Sequence, residues 1–438
     1  MNLVYIHTHD SGRYFQPYGY GLATPHIQRL AEEGTLFRHA FCAAPTCSPS
    51  RAALLTGMMP HSTGMLGLAH RGFFLQDPHK HLSWFLREHQ FDTALSGVQH
   101  EAIDATTLGY RRILSAPAGN KLCRRDRDLQ NAYQAAAYIT ESHDKPFFLS
   151  FGMSNTHRPY PDHREMQINP DYLLPPWPVS DTQENRADMA DYCCALQTVD
   201  ECVGIVMDAL AKSKHEEDTI VLFTTDHGLP WPHMKCTLTD SGIGVALLLK
   251  YPGNPLRNRA VDHMVSHIDV FPTLCGLLKL EKPHWLQGVS LLPLLEENKP
   301  VRDAVYAEVT YHAAYEPMRS IRTDRYKLIV RYDDFLSVVM ANMDPSPAKK
   351  RLIEEEYQLN IHPREALYDL HADPVERVNR IGDPRYAAVY HDLLQRLNNW
   401  MIATDDPLMT YRHRVPKPNG AMVNLRDSLE PAAKEYEE

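Results

Sequence analysis

Several features that would place the chain in other classes of protein are absent from its sequence. No apolar run approaches the length of a membrane-spanning helix, and the residues after Met1 show neither the basic segment nor the cleavage site of a secretory leader. The eight cysteines are few for 438 residues and follow no regular spacing, so we expect no disulfide framework. These absences predict a cytoplasmic protein without a membrane partner.

Positive charge is also scarce. Lysine and arginine number 45 against 55 aspartate and glutamate residues, which gives a formal net charge of -10. Proteins that bind nucleic acids usually carry a basic face, so we expect no nucleic-acid partner. An anionic substrate would need a locally basic pocket, and 43% apolar residues are enough to bury a large core around one.

The first 300 residues alternate short apolar runs with longer helical segments. Strands are predicted at residues 3–6, 93–95, 147–151, 220–224 and 245–249. Helices are predicted at residues 49–56, 127–142, 184–213 and 267–279, and an earlier one between Thr24 and Gly34. Continuous apolar strands between helices are typical of an α/β fold, with a mostly parallel central sheet covered on both faces.

The pattern changes near residue 301. Short strands are predicted at residues 305–308, 318–321 and 326–330, with hardly a helix before 385–402. We therefore predict a catalytic domain over 1–300 and a smaller α+β domain over 301–438, with an antiparallel sheet and a terminal helix.

Polar residues follow two of the predicted strands. In an open parallel sheet, ligands bind beyond the carboxyl ends of the strands, and there the chain has His9-Asp10 and Asp226-His227. If the two strands are neighbours, Asp10, Asp226 and His227 converge on one divalent cation, with or without His9. Oxygen ligands favour Ca²⁺ or Mg²⁺, and histidine favours Mn²⁺ or Zn²⁺. The alternative is that the aspartates only cap turns before glycine.

The segment Cys47-Ser48-Pro49-Ser50-Arg51 precedes a helical run that ends at Gly57, so residue 47 is expected near a helix N-terminus, where anions are favoured. The segment resembles the maturation signature of type I, formylglycine-dependent sulfatases of the alkaline phosphatase superfamily. The resemblance implies an alkaline phosphatase-like α/β/α sandwich and one divalent metal ion, with Ca²⁺ favoured ahead of Mn²⁺ or Mg²⁺. It also implies that a formylglycine-generating or anaerobic maturase converts Cys47 into formylglycine, whose hydrate attacks sulfur.

The same resemblance assigns roles to four basic residues. Arg51 and Lys235 match positions where the family places cations that stabilise the sulfuryl oxygens. His157 is the better candidate for the acid that protonates the leaving group, and His100 would hold the nucleophile or the sulfuryl group. The alternative for each is an ordinary surface charge or a structural histidine.

Three positions depart from the family pattern. The family usually has Asp-Asp after the first strand, where this chain has His9-Asp10, so either His9 joins Asp10 as a metal ligand or Asp10 serves alone. His227 replaces an asparagine, and the resulting Asp-His pair resembles that of phosphonate monoester hydrolases and some sulfatases. Val98 stands where the family has a lysine that binds the sulfuryl group, so another cation would replace that lysine or the substrate would differ.

Further segments resemble the N-sulfoglucosamine sulfohydrolase, or heparan N-sulfatase, branch of the family. They lie at residues 24–26, 225–232, 308–310, 317–320, 367–370 and 373–374. This resemblance implies a small sulfated saccharide as substrate, cleaved at a sulfamate or sulfate ester. The candidate sugar contacts are Glu308, His312 and Arg319, and the alternative is that they are ordinary residues of an antiparallel sheet.

Two other functions remain open on the sequence. The Asp226-His227 pair and Val98 are compatible with a phosphonate monoester or phosphodiester hydrolase on the same scaffold. A descendant that binds sulfated glycans without turnover is the third hypothesis. For a soluble enzyme of this size we also expect a homodimer.

Overall fold

Two large sheets and one two-stranded sheet organise the structure, which is a computed structural model that describes residues 1–114, 122–411, 414–431 and 434–437. The strands of the described residues are β1 (Asn2–Thr8), β2 (Thr35–Phe37), β3 (Ala40–Phe41), β4 (Asp92–Gly97), β5 (Arg112–Ile113), β6 (Phe147–Gly152), β7 (Thr219–Thr225), β8 (Leu247–Lys250), β9 (Arg259–Val261), β10 (Val265–Ser266), β11 (Ala304–Tyr311), β12 (Tyr315–Thr323), β13 (Tyr326–Arg331) and β14 (Glu365–Asp369).

The larger sheet has the strand order β5-β4-β6-β1-β7-β8-β2-β9. Strand β8 runs antiparallel to β7 and β2, and the other pairs are parallel. This arrangement confirms the predicted mostly parallel sheet. Strand β1 lies between β6 and β7, so the residues that follow these three strands leave the sheet at the same edge.

Helices cover both faces of this sheet. Those of the described residues are α1 (Pro25–Glu33), α2 (Cys47–Thr56), α3 (Pro60–Thr63), α4 (Leu82–Glu88), α5 (Arg124–Thr140), α6 (Gln183–Lys212), α7 (Asp240–Ile243), α8 (Val270–Leu278), α9 (Leu292–Glu297), α10 (Pro347–Glu354) and α11 (Ala387–Ala403). None of them is both long enough and apolar enough to cross a bilayer.

Strand β1 shows why the sheet needs a layer on each side. All its residues are buried, and its apolar side chains between Leu3 and Ile6 alternate between the two faces. Val4 and Ile6 pack with residues of α1, α5 and α6. Leu3 and Tyr5 pack with residues of α2, α4 and α8. The result is the predicted α/β/α sandwich, with β1 in the centre of the core.

The helices differ from the predictions at several places. Helix α2 begins at Cys47 rather than at residue 49, because Pro49 lies in the first turn, where a backbone N–H has no partner within the helix. Helix α10 was not predicted, and neither were the short helices α3, α4, α7 and α9. The N-terminus of α10 is capped by Ser346, whose hydroxyl accepts a hydrogen bond from the backbone N–H of Lys349 at 3.1 Å.

The second sheet has the order β11-β12-β13-β14, and each neighbouring pair is antiparallel. This confirms the predicted antiparallel sheet after residue 301. One buried apolar cluster contains Leu55 of α2, Val309 of β11 and Leu397 of α11, so the core continues from the first sheet to the second. The division into domains 1–300 and 301–438 stays a prediction.

Candidate active site

The ends of β1 and β7 bring the first two polar clusters together. Thr8 lies opposite Thr225 in the parallel register, so the next residues of both strands emerge side by side. The backbone N–H of Asp10 donates to Oδ1 of Asp226 at 2.8 Å. Asp10 has a φ of +48°, a left-handed conformation that is uncommon outside glycine and often marks a functional site.

Helix α2 presents Cys47 to this cluster. Every residue of the helix is buried, and Cys47 is its first residue, so its N-terminal amide groups point toward the strand ends. The Sγ atom of Cys47 lies 3.4 Å from Nε2 of His227. Burial raises the pKa of the Cys47 thiol, as do Asp10 and Asp226, whereas Lys235 and Arg51 lower it. The thiol is therefore held in its neutral form.

Four residues place ligand atoms within 4.8 Å of one another: His9, Asp10, Cys47 and Asp226. Nδ1 of His9 lies 3.3 Å from Oδ2 of Asp226. Nδ1 of His9 and Oδ1 of Asp10 are both buried without a hydrogen-bond partner among the described residues. Buried polar atoms are normally satisfied, so their convergence on one point fits a bound cation.

His227 adds a fifth donor, and its tautomer can be assigned. Its Nδ1 lies 3.0 Å from the carbonyl oxygen of Gly228, which can only accept, so Nδ1 carries the proton. Nε2 then turns a lone pair toward Oδ1 of Asp10 at 3.2 Å. Two lone-pair donors this close repel each other unless a cation or a proton lies between them. The residues present therefore fit a divalent metal ion.

Two buried cations border the cluster. Arg51 donates from Nη2 to Oδ2 of Asp226 at 3.0 Å and to the carbonyl of Thr8 at 2.7 Å, and its Nη1 contacts His7. Lys235 places Nζ 3.2 Å from Oδ2 of Asp10. Both side chains are thus fixed by carboxylates at the same strand ends, where they could stabilise an anionic group on residue 47.

His157 and His100 follow β6 and β4 and lie on one side of the cluster. Nε2 of His157 is 3.9 Å from Oδ2 of Asp10, and its Nδ1 donates to the carbonyl of Arg158 at 2.7 Å. The His100 ring packs edge-on against His9 at 4.9 Å. Burial, reinforced by Arg51, lowers the pKa of His100 to about 3. His157, which is only partly buried, is therefore better placed to donate a proton.

The C-terminal candidates divide between two places. His312 is buried in the turn between β11 and β12, where Lys235 and a carboxylate at Asp344 act on its charge. Glu308 and Arg319 lie in a separate buried cluster with His61 and Asp406. Arg319 also donates to the carbonyls of its own sheet. The structure thus brings His312 to the site and places Glu308 and Arg319 in an internal ion network.

This ion network supports a stability prediction. We expect Asp406→Asn to lower the free energy of unfolding by about 3 kcal/mol, because Arg319 would remain buried without its main counter-charge. Oδ2 and Oδ1 of Asp406 accept from Arg319 at 2.5 and 3.0 Å. Urea unfolding at neutral pH would measure the change. The exposed neighbour Asp405, at a φ of +55° that asparagine tolerates, provides the control, and equal stability of the two variants would contradict the prediction.

Sequence patterns missed two further acidic residues. Asp344, in the segment between β13 and α10, has Oδ2 2.9 Å from Nζ of Lys235. Glu101 is buried beside Arg51, and neither carboxyl oxygen has a hydrogen-bond partner among the described residues. Burial raises the pKa of Glu101 to about 8, although Arg51 lowers it. Only the position next to His100 could have drawn attention to Glu101, and no pattern marks Asp344.

Glu101 should make stability depend on pH. Its pKa is about 8 in the folded protein and 4.5 as the ordinary value, so the folded state holds the proton more tightly than the unfolded state between these values. The free energy of unfolding is therefore expected to fall as pH rises from about 5 to about 8. Glu101→Gln keeps the shape and cannot ionise, so it should flatten this slope and be the more stable protein at about pH 8. Thermal unfolding of both proteins from about pH 5 to about pH 8 measures this dependence. If the stability of both proteins changed with pH in the same way, the prediction would be contradicted.

Comparison with known proteins gives matches over most of the chain. The family model described as Sulfatase matches residues 1–280, and the model described as N-sulphoglucosamine sulphohydrolase, C-terminal, matches residues 231–363. N-sulphoglucosamine sulphohydrolase of Homo sapiens is 28% identical over 440 residues, which cover 88% of this chain and 86% of that protein.

Two solved structures share the fold. One is a protein in complex with its substrate D-glucosamine-2-N,6-O-disulfate, with a TM-score of 0.75 and 19% identity, covering 92% of this chain and 98% of that one. The other is the phosphonate monoester hydrolase of Agrobacterium radiobacter, with a TM-score of 0.70 and 20% identity, covering 94% and 97%. At these identities the likeness concerns the fold alone.

Proposed function

The chain belongs to the sulfatase family, the hydrolases of sulfate esters and sulfamates, and we propose that it cleaves a small sulfated saccharide with a formylglycine at position 47 and one divalent cation. The observation that carries the proposal is the position of Cys47. It begins a buried helix within the family's signature segment, and Sγ lies 3.4 Å from Nε2 of His227 at the joined ends of β1 and β7.

The proposed substrate class is a sugar bearing an N-sulfated glucosamine-like group. Support comes from the C-terminal family model over residues 231–363 and from the human relative of the same name. A solved structure of the same fold binds D-glucosamine-2-N,6-O-disulfate, and we propose a saccharide of this kind here. A sulfate ester on the same sugar is the nearest alternative within this proposal.

The proposed cation would be held by His9, Asp10, Asp226 and His227, together with the modified residue 47. When bound, it supplies a Lewis acid that polarises oxygen atoms near the sulfur. Carboxylate oxygens favour Ca²⁺, and the two imidazoles also suit Mn²⁺. We propose Ca²⁺ ahead of Mn²⁺ and Mg²⁺, a ranking that activity after reconstitution with each single metal would test.

The residues around position 47 would have separate roles in the reaction. Hydrated formylglycine would supply one hydroxyl as nucleophile and a second that permits release of sulfate. Arg51 and Lys235 would hold the sulfuryl oxygens by charge, while Arg51 keeps Asp226 ionised and oriented. His157 would protonate the departing nitrogen or oxygen from Nε2, since its Nδ1 is committed to the Arg158 carbonyl.

The proposal extends to partners and location. A formylglycine-generating or anaerobic maturase is required as a partner by the modification of Cys47. All eight cysteines are unpaired, which supports a reducing, cytoplasmic compartment. A homodimer remains an expectation based on the prevalence of two-fold assemblies, and sedimentation of the purified protein would test it.

A phosphonate monoester hydrolase is the second candidate. His227 beside Asp226, together with the shared fold of the Agrobacterium radiobacter enzyme, favours it. It is the weaker candidate, because the family models over residues 1–280 and 231–363 are both sulfatase models.

Parallel assays of matured, metal-loaded protein separate the candidates. We expect the highest kcat/KM with N-sulfoglucosamine, lower values with an aryl sulfate, and the lowest with a phenyl phosphonate monoester. Phosphonate turnover that exceeds sulfamate turnover by orders of magnitude would replace the proposal with the second candidate. Retained binding of sulfated sugars without any turnover would favour a non-catalytic binding protein.

A further inference from the structure

Asp344 contributes a carboxylate to the catalytic centre from the C-terminal part of the chain. It lies between β13 and α10, and its Oδ2 is 2.9 Å from Nζ of Lys235. The contact is an ion pair rather than a well-directed hydrogen bond. Lys235 therefore lies between two carboxylates, Asp344 on one side and Asp10 on the other.

The two residues just before Asp344 are anchored. Oδ1 of Asn342 accepts from the backbone N–H of Ala314 at 2.9 Å, and its Nδ2 donates to Glu316 at 3.0 Å. Nζ of Lys349 in α10 donates to the carbonyl of Met343 at 3.1 Å. These contacts fix the chain that leads into Asp344 before a substrate arrives, which is what a recognition residue needs.

Exposure shows on which side of the centre Asp344 lies. The side chains of Asp10 and Asp226 are 0% exposed, Lys235 is 3%, Asp344 is 14% and His157 is 32%. Exposure therefore increases from the strand ends toward Asp344 and His157. Asp344 interacts electrostatically with Lys235, His157 and His312. Asp344 and the proposed proton donor are thus the more exposed members of the centre, and we expect the leaving sugar on their side.

A carboxylate at this place has a restricted set of partners. The negative charge repels sulfate and carboxylate groups. An ionised carboxylate can accept several hydrogen bonds, and Lys235 contacts only one of its oxygen atoms. Hydroxyl and N–H groups of a sugar are suitable donors for the remaining lone pairs. A hydrogen bond to a charged group discriminates strongly between substrates that offer the donor and substrates that lack it.

We propose that Asp344 is a specificity-determining residue that accepts hydrogen bonds from a hydroxyl next to the scissile sulfate and rejects sugars with a second anionic group at that position. The proposal rests on the proposed sulfatase function and deepens it. It makes the substrate a sugar whose sulfated position has an unmodified hydroxyl as neighbour.

Kinetics with three substrates tests this role. In Asp344→Asn we expect kcat/KM for a singly sulfated glucosamine to fall roughly 10- to 100-fold, mostly through KM. The value for an aryl sulfate, which has no such hydroxyl, should change less than about threefold. The ratio of kcat/KM for a neighbour-sulfated sugar to that for the singly sulfated sugar should rise by about tenfold or more.

Asp334→Asn is the matched control, because Asp334 lies in the same segment but is exposed and paired with Arg364. Its kinetics should equal those of the wild type, and thermal unfolding of both variants checks that they fold. An equal loss with sugar and aryl substrates would show that Asp344 acts only through Lys235 and would overturn the proposal, as would unchanged kinetics. Wild-type turnover of phosphonate alone would overturn the proposed function itself, which keeps the two failures distinct.

Discussion

Replacement of Cys47 by alanine is expected to lower kcat for a sulfated sugar by roughly 10⁴-fold or more, because the change removes the proposed nucleophile while leaving the rest of the centre in place. Cys47 is buried at the start of α2 and contacts His227. Alanine is smaller and apolar, so the fold should persist. Steady-state assays of both proteins, each coexpressed with a maturase, would measure the loss.

Cys47→Ser is the informative companion variant. Serine supplies one hydroxyl that could attack sulfur, but it lacks the second hydroxyl that the proposed release step needs. We expect at most one turnover and a stable mass gain of one sulfuryl group on the peptide that contains residue 47. The wild-type peptide should be lighter by the exchange of a thiol for an aldehyde. Unmodified Cys47 in fully active protein would overturn the formylglycine mechanism.

The proximity of many residues of the proposed centre could be predicted because they follow apolar strands. His9, Asp10, Asp226 and His227 stand directly after runs that could only be buried, and parallel strands end at one edge of a sheet. The order of the strands in the sheet could not be predicted from the sequence. That β1 lies between β6 and β7 is decided by packing of the whole sandwich, and this placement also brings His157 to Asp10.

The C-terminal candidates show the opposite case. Glu308 and Arg319 face each other across β11 and β12, as an antiparallel pair with opposite charges would suggest. Their main partners, His61 and Asp406, come from distant parts of the chain. A charged residue on an inward face can serve a substrate or an internal ion pair, and only the partner distinguishes these roles. Asp344 went unnoticed for the same reason, since Lys235 precedes it by a long stretch.

The charges of the proposed catalytic centre do not balance without a cation. Asp10, Asp226 and Asp344 carry three negative charges, and Arg51 and Lys235 carry two positive ones, with the histidines counted as neutral. A buried excess of negative charge is costly and would repel a sulfated substrate. A divalent ion changes the net charge to positive, so it should support both the stability of the fold and the binding of the substrate.

Removal of the metal is therefore expected to lower kcat/KM by roughly 10³-fold and to reduce the melting temperature by several degrees. An ion present at about a hundred times its Kd contributes about 2.7 kcal/mol to the folded state. Dialysis of matured protein against a chelator, followed by return of Ca²⁺ or Mn²⁺, would measure both effects. A chelated protein with full activity and an unchanged melting temperature would contradict the proposed metal site.

Asp10→Asn localises this effect, because asparagine tolerates the left-handed backbone at that position but removes one ligand charge. The melting temperature of this variant should no longer respond to the added metal ion. Asp162, His163 and Asp191 form another triad that could bind a metal, and it is only partly buried, so Asp191→Asn is the matched control. This control should keep the metal response of the wild type. If Asp191→Asn lost the response and Asp10→Asn kept it, the stabilising ion would lie at the outer triad, and the ends of β1 and β7 would have to perform catalysis with Arg51 and Lys235 alone.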